Sequence, residues 1–295
     1  MILKIGSRGK EVKELQEFLG VQADGIFGKG TDTAVRNWQQ NQGLIVDGIV
    51  GPATWDAMGI ASTDISEQIF ETKEGLTIEK HYLPKGEYKV GPTNKEYIFL
   101  HHTAGWHNPF KTIDQWSRDD RGAIATEFVL GGPSVKGNDN KYDGKMVQAF
   151  PEGGYGWHLG KTGSGYMNQH SVGLEICSIG YLDGQYRSYV NKKAKDDQVI
   201  SLTQLFRSRQ HWHKYSDKQI EETAKLIKYV ADRDNIDVRA GLQKWIKDQG
   251  PIKAFGFQED AYYGKVKGLL SHTNVRKDKT DVYPDPRLIE VIINL

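Results

Sequence analysis

The chain of 295 residues is 38% hydrophobic and 26% charged, as suits a globular protein of one or two domains with a polar surface. A formal net charge of +1 gives no electrostatic case for a nucleic-acid partner, and no apolar run approaches the ~20 residues that span a bilayer. One cysteine, Cys177, excludes an intramolecular disulfide and suits a reducing compartment.

The N-terminal stretch MILKIGSRGKEVKELQEFLG places Arg8, Lys10, Glu11 and Lys13 where a secretory leader needs an apolar core, so synthesis without a signal peptide is expected. An internal repeat follows. ADGIFGKGTDTAV (23–35) aligns with VDGIVGPATWDAM (46–58) at a constant offset of 23, with Asp24, Gly25, Ile26, Gly28, Thr31 and Ala34 recurring as Asp47, Gly48, Ile49, Gly51, Thr54 and Ala57. Each copy reads as an Asp-Gly turn leading into a short helix that starts near the threonine. Val12, Leu15, Gln16 and Leu19 have helical spacing, as do Ala34, Val35 and Trp38. Residues 3–59, including GSRGKEVKELQEFL and both Asp-Gly turns, resemble the three-helix peptidoglycan-binding domain carried by many cell-wall hydrolases. That resemblance implies wall binding, with Asp24, Gly25, Asp47 and Gly48 as candidate contact residues.

Residues 60–76, IASTDISEQIFETKEGL, are polar and aperiodic and read as a linker. From 77 the pattern turns to strands. TIEKHYL and EYIFLHH are strand-like, TEFVLGG and KMVQAF flank a turn-rich stretch and predict a hairpin, and SVGLEICSIG is another strand. Helices are predicted at TIDQWSR (112–118) and over 216–233, where Ser216 and Gln219 form a capping box and Ile220, Ala224, Ile227 and Ala231 share a face. The expected architecture is a small all-α three-helix domain (1–59), a linker (60–76) and an α/β domain with a central mixed sheet (77–295). Segments 186–215 and 237–268 read as insertions without an assigned role.

In YIFLHHTAG (97–105), Phe99 and His101 point to one face of a strand and Ile98 and Leu100 to the other. A histidine at the end of a buried strand is held rigidly, as a metal ligand must be. Thr103, Ala104 and Gly105 take the chain away from the sheet with small side chains. The second suggestive segment is SHTNVRKDKTDVYPDP (271–286), where Asp281 follows His272 by nine residues and Lys279 stands two before it. Two imidazoles and a carboxylate with an open fourth position describe a hydrolytic rather than a structural zinc. In SVGLEIC, Glu175 shares its face with Gly173 and Cys177, which gives it space and little apolar cover.

YIFLHHTAG, WHLGKTGSGYMNQHSVGLEI (157–176) and SHTNVRKDKTD together resemble the zinc-dependent N-acetylmuramoyl-L-alanine amidases, over roughly 78–290. The resemblance implies Zn2+ bound by His101, His272 and Asp281, Glu175 as general base, and Lys279 polarising the scissile carbonyl or its oxyanion. It implies substrate contact by His158; Thr103 and Trp157 are further candidates, and His102 reads either as a further substrate contact or as a packed, hydrogen-bonded neighbour. A tyrosine used by part of the family is absent, since ATEFVL puts Thr126 and Glu127 in that region, and this leaves open a share of the base role for Glu127.

The expected function is a phage endolysin that cuts the bond between N-acetylmuramic acid and L-alanine. It would be made in the host cytoplasm and act on the wall after holin-type release. Its expected partners are the glycan strand and stem peptide of peptidoglycan, with no nucleic acid, no membrane and a monomeric state. Rival readings are a bacterial autolytic amidase, a catalytically inactive peptidoglycan-recognition protein, and a zinc enzyme that cuts another amide of the stem peptide.

Overall fold

The computed structural model describes residues 2–58, 69–91 and 93–295. The chain divides into two units, Met1–Gln68 and Ile69–Leu295.

The first unit holds helices α1 (Lys10–Phe18), α2 (Lys29–Asn41) and α3 (Pro52–Met58). Val12, Leu15, Phe27, Val35, Val50, Trp55 and Met58 form its core. Each repeat is fastened by one buried glutamine. Gln16 Nε2 donates to Asp24 Oδ1 (2.8 Å), the Ile26 carbonyl (3.0 Å) and Thr31 Oγ1 (3.0 Å), while Gln16 Oε1 accepts from the Gly25 amide (2.8 Å). Gln39 repeats the pattern with Asp47 Oδ1 (3.0 Å), the Ile49 carbonyl (2.9 Å), Thr54 Oγ1 (3.2 Å) and the Gly48 amide (3.0 Å). Gly25 and Gly48 have φ of 72° and 68°, a conformation that side chains other than glycine rarely adopt. The four residues nominated for wall contact therefore have a structural task here, and one oxygen of each aspartate is already engaged.

The second unit is built on a seven-stranded sheet. Its strands in chain order are β1 (Ile69–Glu71), β2 (Thr77–Lys80), β3 (Lys89–Val90), β4 (Tyr97–His102), β5 (Phe128–Leu130), β6 (Met146–Gln148), β7 (Gly154–Tyr155), β8 (Ser171–Ile176), β9 (Tyr181–Leu182), β10 (Val199–Phe206), β11 (Arg209–His213) and β12 (Gly268–Ser271). The helices are α4 (Pro109–Trp116), α5 (Tyr166–Gln169), α6 (Asp217–Asp234), α7 (Leu242–Gln249), α8 (Pro251–Ala254), α9 (Glu259–Tyr262), α10 (His272–Val275) and α11 (Pro286–Ile293). The main sheet runs β1-β2-β6-β5-β8-β4-β12; β9 to β11 form a separate three-stranded sheet and β3 pairs with β7. The α/β domain with a mixed sheet is as expected. β5 and β6 make the predicted antiparallel pair, and β5, β8, β4 and β12 run parallel.

Strand alternation sets the two faces. Ile98, Leu100, Val172, Leu174 and Ile176 pack on Ile220, Leu226, Ile227 and Val230 of α6 and on α7 and α11. Tyr97 and Phe99 pack on the opposite side with Leu159, Met167, Leu270 and Val275. Ser216 and Gln219 cap α6 as predicted. The buried face of α6 centres on Thr223, Leu226 and Val230 besides Ile220 and Ile227, with Ala224 and Ala231 at its margin.

One boundary needs correction. β1 pairs antiparallel with β2 at the sheet edge, and Leu76 is fully buried in the core. The second unit thus starts at Ile69, not at 77; of the expected linker, residues 60–68 lie outside the described residues.

Candidate metal and catalytic centre

The parallel strands bring their carboxyl ends to one edge, the place where open α/β sheets bind ligands. His101 is the fifth residue of β4. Glu175 is its direct partner on β8, so the two side chains share a face. His272 follows the last residue of β12 and opens α10. The chain then returns, and the Thr273 amide donates to the Asp281 carbonyl (3.1 Å), setting Asp281 beside His272.

His101, His272 and Asp281 form the one group of metal-ligand type found among the described residues. His101 Nδ1 lies 3.1 Å from His272 Nδ1 and 3.3 Å from Asp281 Oδ2, and His272 Nδ1 lies 2.9 Å from the same oxygen. A tetrahedral zinc with bonds of about 2.0–2.1 Å has ligand–ligand edges of about 3.3 Å. The three atoms thus stand close to the spacing of one face of such a tetrahedron.

The hydrogen-bond network sets the chemistry of that face. Ser171 Oγ lies 3.4 Å from the Asn168 carbonyl, which only accepts, so the serine proton goes there. Ser171 Oγ then accepts from His158 Nε2 (2.7 Å), which leaves His158 Nδ1 to accept from His101 Nε2 (2.9 Å). His101 Nδ1 is left with a bare lone pair toward His272 and Asp281. Burial, with His272 beside it, lowers the pKa of His101 to about 4, so its imidazole is neutral at pH 7. Burial alone would raise Asp281, but His272 and His101 beside it hold the carboxyl well below its usual value. Neutral imidazole nitrogen and an ionised carboxylate are the donors a divalent zinc takes, so the residues fit that ion.

Glu175 stands next to this face with Oε2 buried and without a hydrogen-bond partner among the described residues. Burial, then the Asp281 charge, push its carboxyl well above the usual range, and the charge of half-buried Lys279 pulls it back. The space expected beside Glu175 is filled. A Cβ on Gly173 would meet Thr126 Cγ2 at 2.7 Å and His158 Nδ1 at 3.1 Å, so this glycine makes room for His158. Cys177 is buried against the Ile113 side of α4.

The remaining candidate residues take different positions. His102 points to the opposite face, where its Nδ1 meets Tyr215 Oη (3.0 Å) and its ring lies among Trp212, Tyr215 and Tyr283. It is a packed residue, not a groove residue. Thr103 Oγ1 donates to the Ser178 carbonyl (3.2 Å) and accepts from the amides of Gly105 and Ser178, so it ties the end of β4 to its neighbour. Glu127 is held in two bonds by Arg233 (2.7 and 3.2 Å) and by Gln148 (2.9 Å), which removes it from the base role. Trp157 is 42% exposed and packs edge-on against Tyr155.

Sequence reasoning missed Ser171 and Asn168, which finish the His158 chain. No local motif marks them, because their role exists only once β8 lies beside β4. It also passed over Gln39. Here a signal was available: carrying the offset of 23 upstream pairs Val12 with Val35, Gln16 with Gln39 and Gly20 with Gly43.

Comparison with known proteins agrees with this organisation. Residues 8–58 match a putative peptidoglycan binding domain, and residues 91–284 match the N-acetylmuramoyl-L-alanine amidase family. The spore cortex-lytic enzyme of Oceanobacillus iheyensis is 37% identical over 76 residues, 24% of this chain and 28% of that protein. That of Bacillus cereus is 41% identical over 59 residues, 18% and 23% of the two chains. The chain thus spans only about a quarter of the length of these curated relatives. Among solved structures, the catalytic domain of XlyA covers 69% of this chain and 88% of its own at 16% identity, with a TM-score of 0.38. With the matched family description spanning most of the second unit, the chain belongs to the N-acetylmuramoyl-L-alanine amidase family and carries a peptidoglycan-binding domain ahead of its amidase unit.

Proposed function

We propose that the protein hydrolyses the amide between the lactyl group of N-acetylmuramic acid and L-alanine, with zinc held by His101, His272 and Asp281. The observation that carries this reading is the convergence of three donor atoms, 2.9–3.3 Å apart, at the carboxyl edge of the sheet. When bound, zinc supplies Lewis acidity, polarising the scissile carbonyl and lowering the pKa of water to about 7. The remaining work falls to the chain. Glu175 takes the proton of the attacking water on its unpartnered oxygen and passes it to the departing amine. Burial and the Asp281 charge raise its pKa, and a dication nearby favours the ionised form that a base needs. Lys279, whose charge already acts on Glu175, stabilises the developing oxyanion. His158 holds His101 in the tautomer with a free Nδ1, and exposed Trp157 next to it walls the substrate groove.

The setting we propose is that of a phage endolysin, made in the host cytoplasm and released to the wall. The pairing of a wall-binding unit with an amidase supports it, since tethering raises the local enzyme concentration on an insoluble substrate.

Digestion of purified peptidoglycan, with and without a chelator and with mass spectrometry of the products, tests the reading. Free stem peptides with a new L-alanine amine, lost on chelation, are expected. Binding to sacculi without cleavage would move the protein to the recognition class. Cleavage of another bond would overturn the assigned substrate.

A further inference from the structure

The two imidazoles of the cluster are supported differently. His101 is oriented through its Nε2 by the chain His158–Ser171–Asn168. His272 Nε2 is buried and has no hydrogen-bond partner among the described residues. Metal-binding histidines usually have their second nitrogen held by such a partner. With Nε2 unpartnered, the placement of His272 rests on its Nδ1 contacts with Asp281 and His101 and on its backbone, and the backbone that follows it is gripped by the β10–β11 hairpin.

β10 and β11 pair antiparallel and turn through Arg207 and Ser208, with φ of 50° and 60°. Two left-handed residues make the type of tight hairpin turn that favours Asn-Gly, and an arginine there is conformationally disfavoured. Its side chain accounts for the choice. Arg207 Nη1 donates to the Lys277 carbonyl (2.9 Å), and Nη2 donates to the carbonyls of Thr273 (2.9 Å) and Arg276 (3.3 Å). These carbonyls lie in and just after α10, a short helix whose terminal acceptors need partners. One guanidinium thus gathers the loop between His272 and Asp281. On the far side of Asp281, Tyr283 is stacked between Trp212 and Tyr215 (centroids 4.9 and 4.7 Å apart), and its hydroxyl donates to the His213 carbonyl (3.1 Å).

We infer that the β10–β11 hairpin is a brace for the His272–Asp281 loop and that Arg207 is its positioning residue, substituting for the missing partner of His272. This inference rests on the metal-site reading above. Arg207 bonds to backbone carbonyls of the loop and acts through the backbone that carries two of the three ligands.

The test uses the full chain with Arg207→Gly, which suits the left-handed turn and removes the whole side chain with its guanidinium, and Arg207→Lys, which keeps the charge and the aliphatic stem but loses the fork. Two quantities are read: zinc affinity by competition with a chromophoric chelator, and amide hydrogen exchange over 272–281. Both variants should bind zinc about 10-fold or more weakly, with faster exchange in that loop and unchanged exchange in α6. Wild-type zinc affinity together with unchanged exchange in Arg207→Gly would overturn the brace. If the wild-type chain bound no zinc, the metal reading would fail, while the exchange measurement would still decide whether Arg207 holds the loop.

Discussion

The repeats of the N-terminal unit and the cluster at the end of the sheet both bury polar side chains, and they do so in opposite ways. In each repeat the glutamine amide meets three acceptors and one donor, and the second copy reproduces the first bond for bond. At the sheet edge, two imidazole nitrogens and a carboxylate oxygen face one another, and Glu175 Oε2 and His272 Nε2 have no hydrogen-bond partner among the described residues. A fully satisfied buried network holds structure. Buried groups left facing each other are costly in folding terms and call for a ligand to complete them. Glu127 and Glu175 make the same contrast within one domain: the first is saturated by Arg233 and Gln148, the second is open.

The largest effect should come from removing a cluster ligand. His272→Ala or Asp281→Ala should reduce peptidoglycan cleavage by at least about 1,000-fold while sacculus binding persists; substantial cleavage by either variant would break the contrast. Next, Glu175→Gln should lower kcat/KM by about 100- to 10,000-fold with metal content unchanged. Glu127→Gln should do the reverse, sparing kcat but costing about 3 kcal/mol in denaturant unfolding, because Arg233 loses the more deeply buried of its two carboxylate partners and keeps Asp234 alone. Loss of activity without loss of stability in that variant would show that the saturated carboxylate is catalytic after all.

Acid should act on the buried histidines. Burial lowers His101, His102 and His213 to about 4 in the folded chain, against about 6.5 when unfolded. As pH falls below about 6.5 the unfolded chain takes up protons first, so the stability present above that pH is lost as pH falls through about 4. The denaturation midpoint of the metal-free protein should therefore be lower at pH 4.5 than at pH 7, and a flat profile would contradict it. The smallest effect sharpens the repeat: Gln16→Ala and Gln39→Ala should each cost about 1–3 kcal/mol, and nearly equally, measured by thermal unfolding. A large inequality would mean that the two networks are alike in geometry but not in energy.

Much of this was legible in the sequence where the signal is local. The strand YIFLHH, the capping box at Ser216 and the offset-23 repeat all rest on neighbouring residues, and all stand in the structure. His272 and Asp281 were visible as a charged, histidine-bearing segment, but their meeting with His101 depends on β12 lying parallel to β4. Of the two readings of His102 the packed one holds, because a strand turns consecutive side chains to opposite faces, whereas the Thr103 hydroxyl is engaged by the backbone of Ser178 and Gly105, contacts that no local pattern announces. Ile69–Glu71 reads as linker in the sequence because an edge strand of three residues carries too little alternation to register. The contacts of Arg207, 66 to 70 residues away along the chain, had no local trace at all.

The central claim is that His101, His272 and Asp281 hold one catalytic zinc. Its most direct measurement is metal content by mass spectrometry after zinc loading and desalting of the full chain and of Asp281→Ala, with peptidoglycan cleavage assayed on the same samples. Close to one zinc per wild-type chain, with cleavage, is expected, and neither in the variant. Cleavage by a wild-type chain that retains no metal, or full zinc retention by the variant, would contradict it.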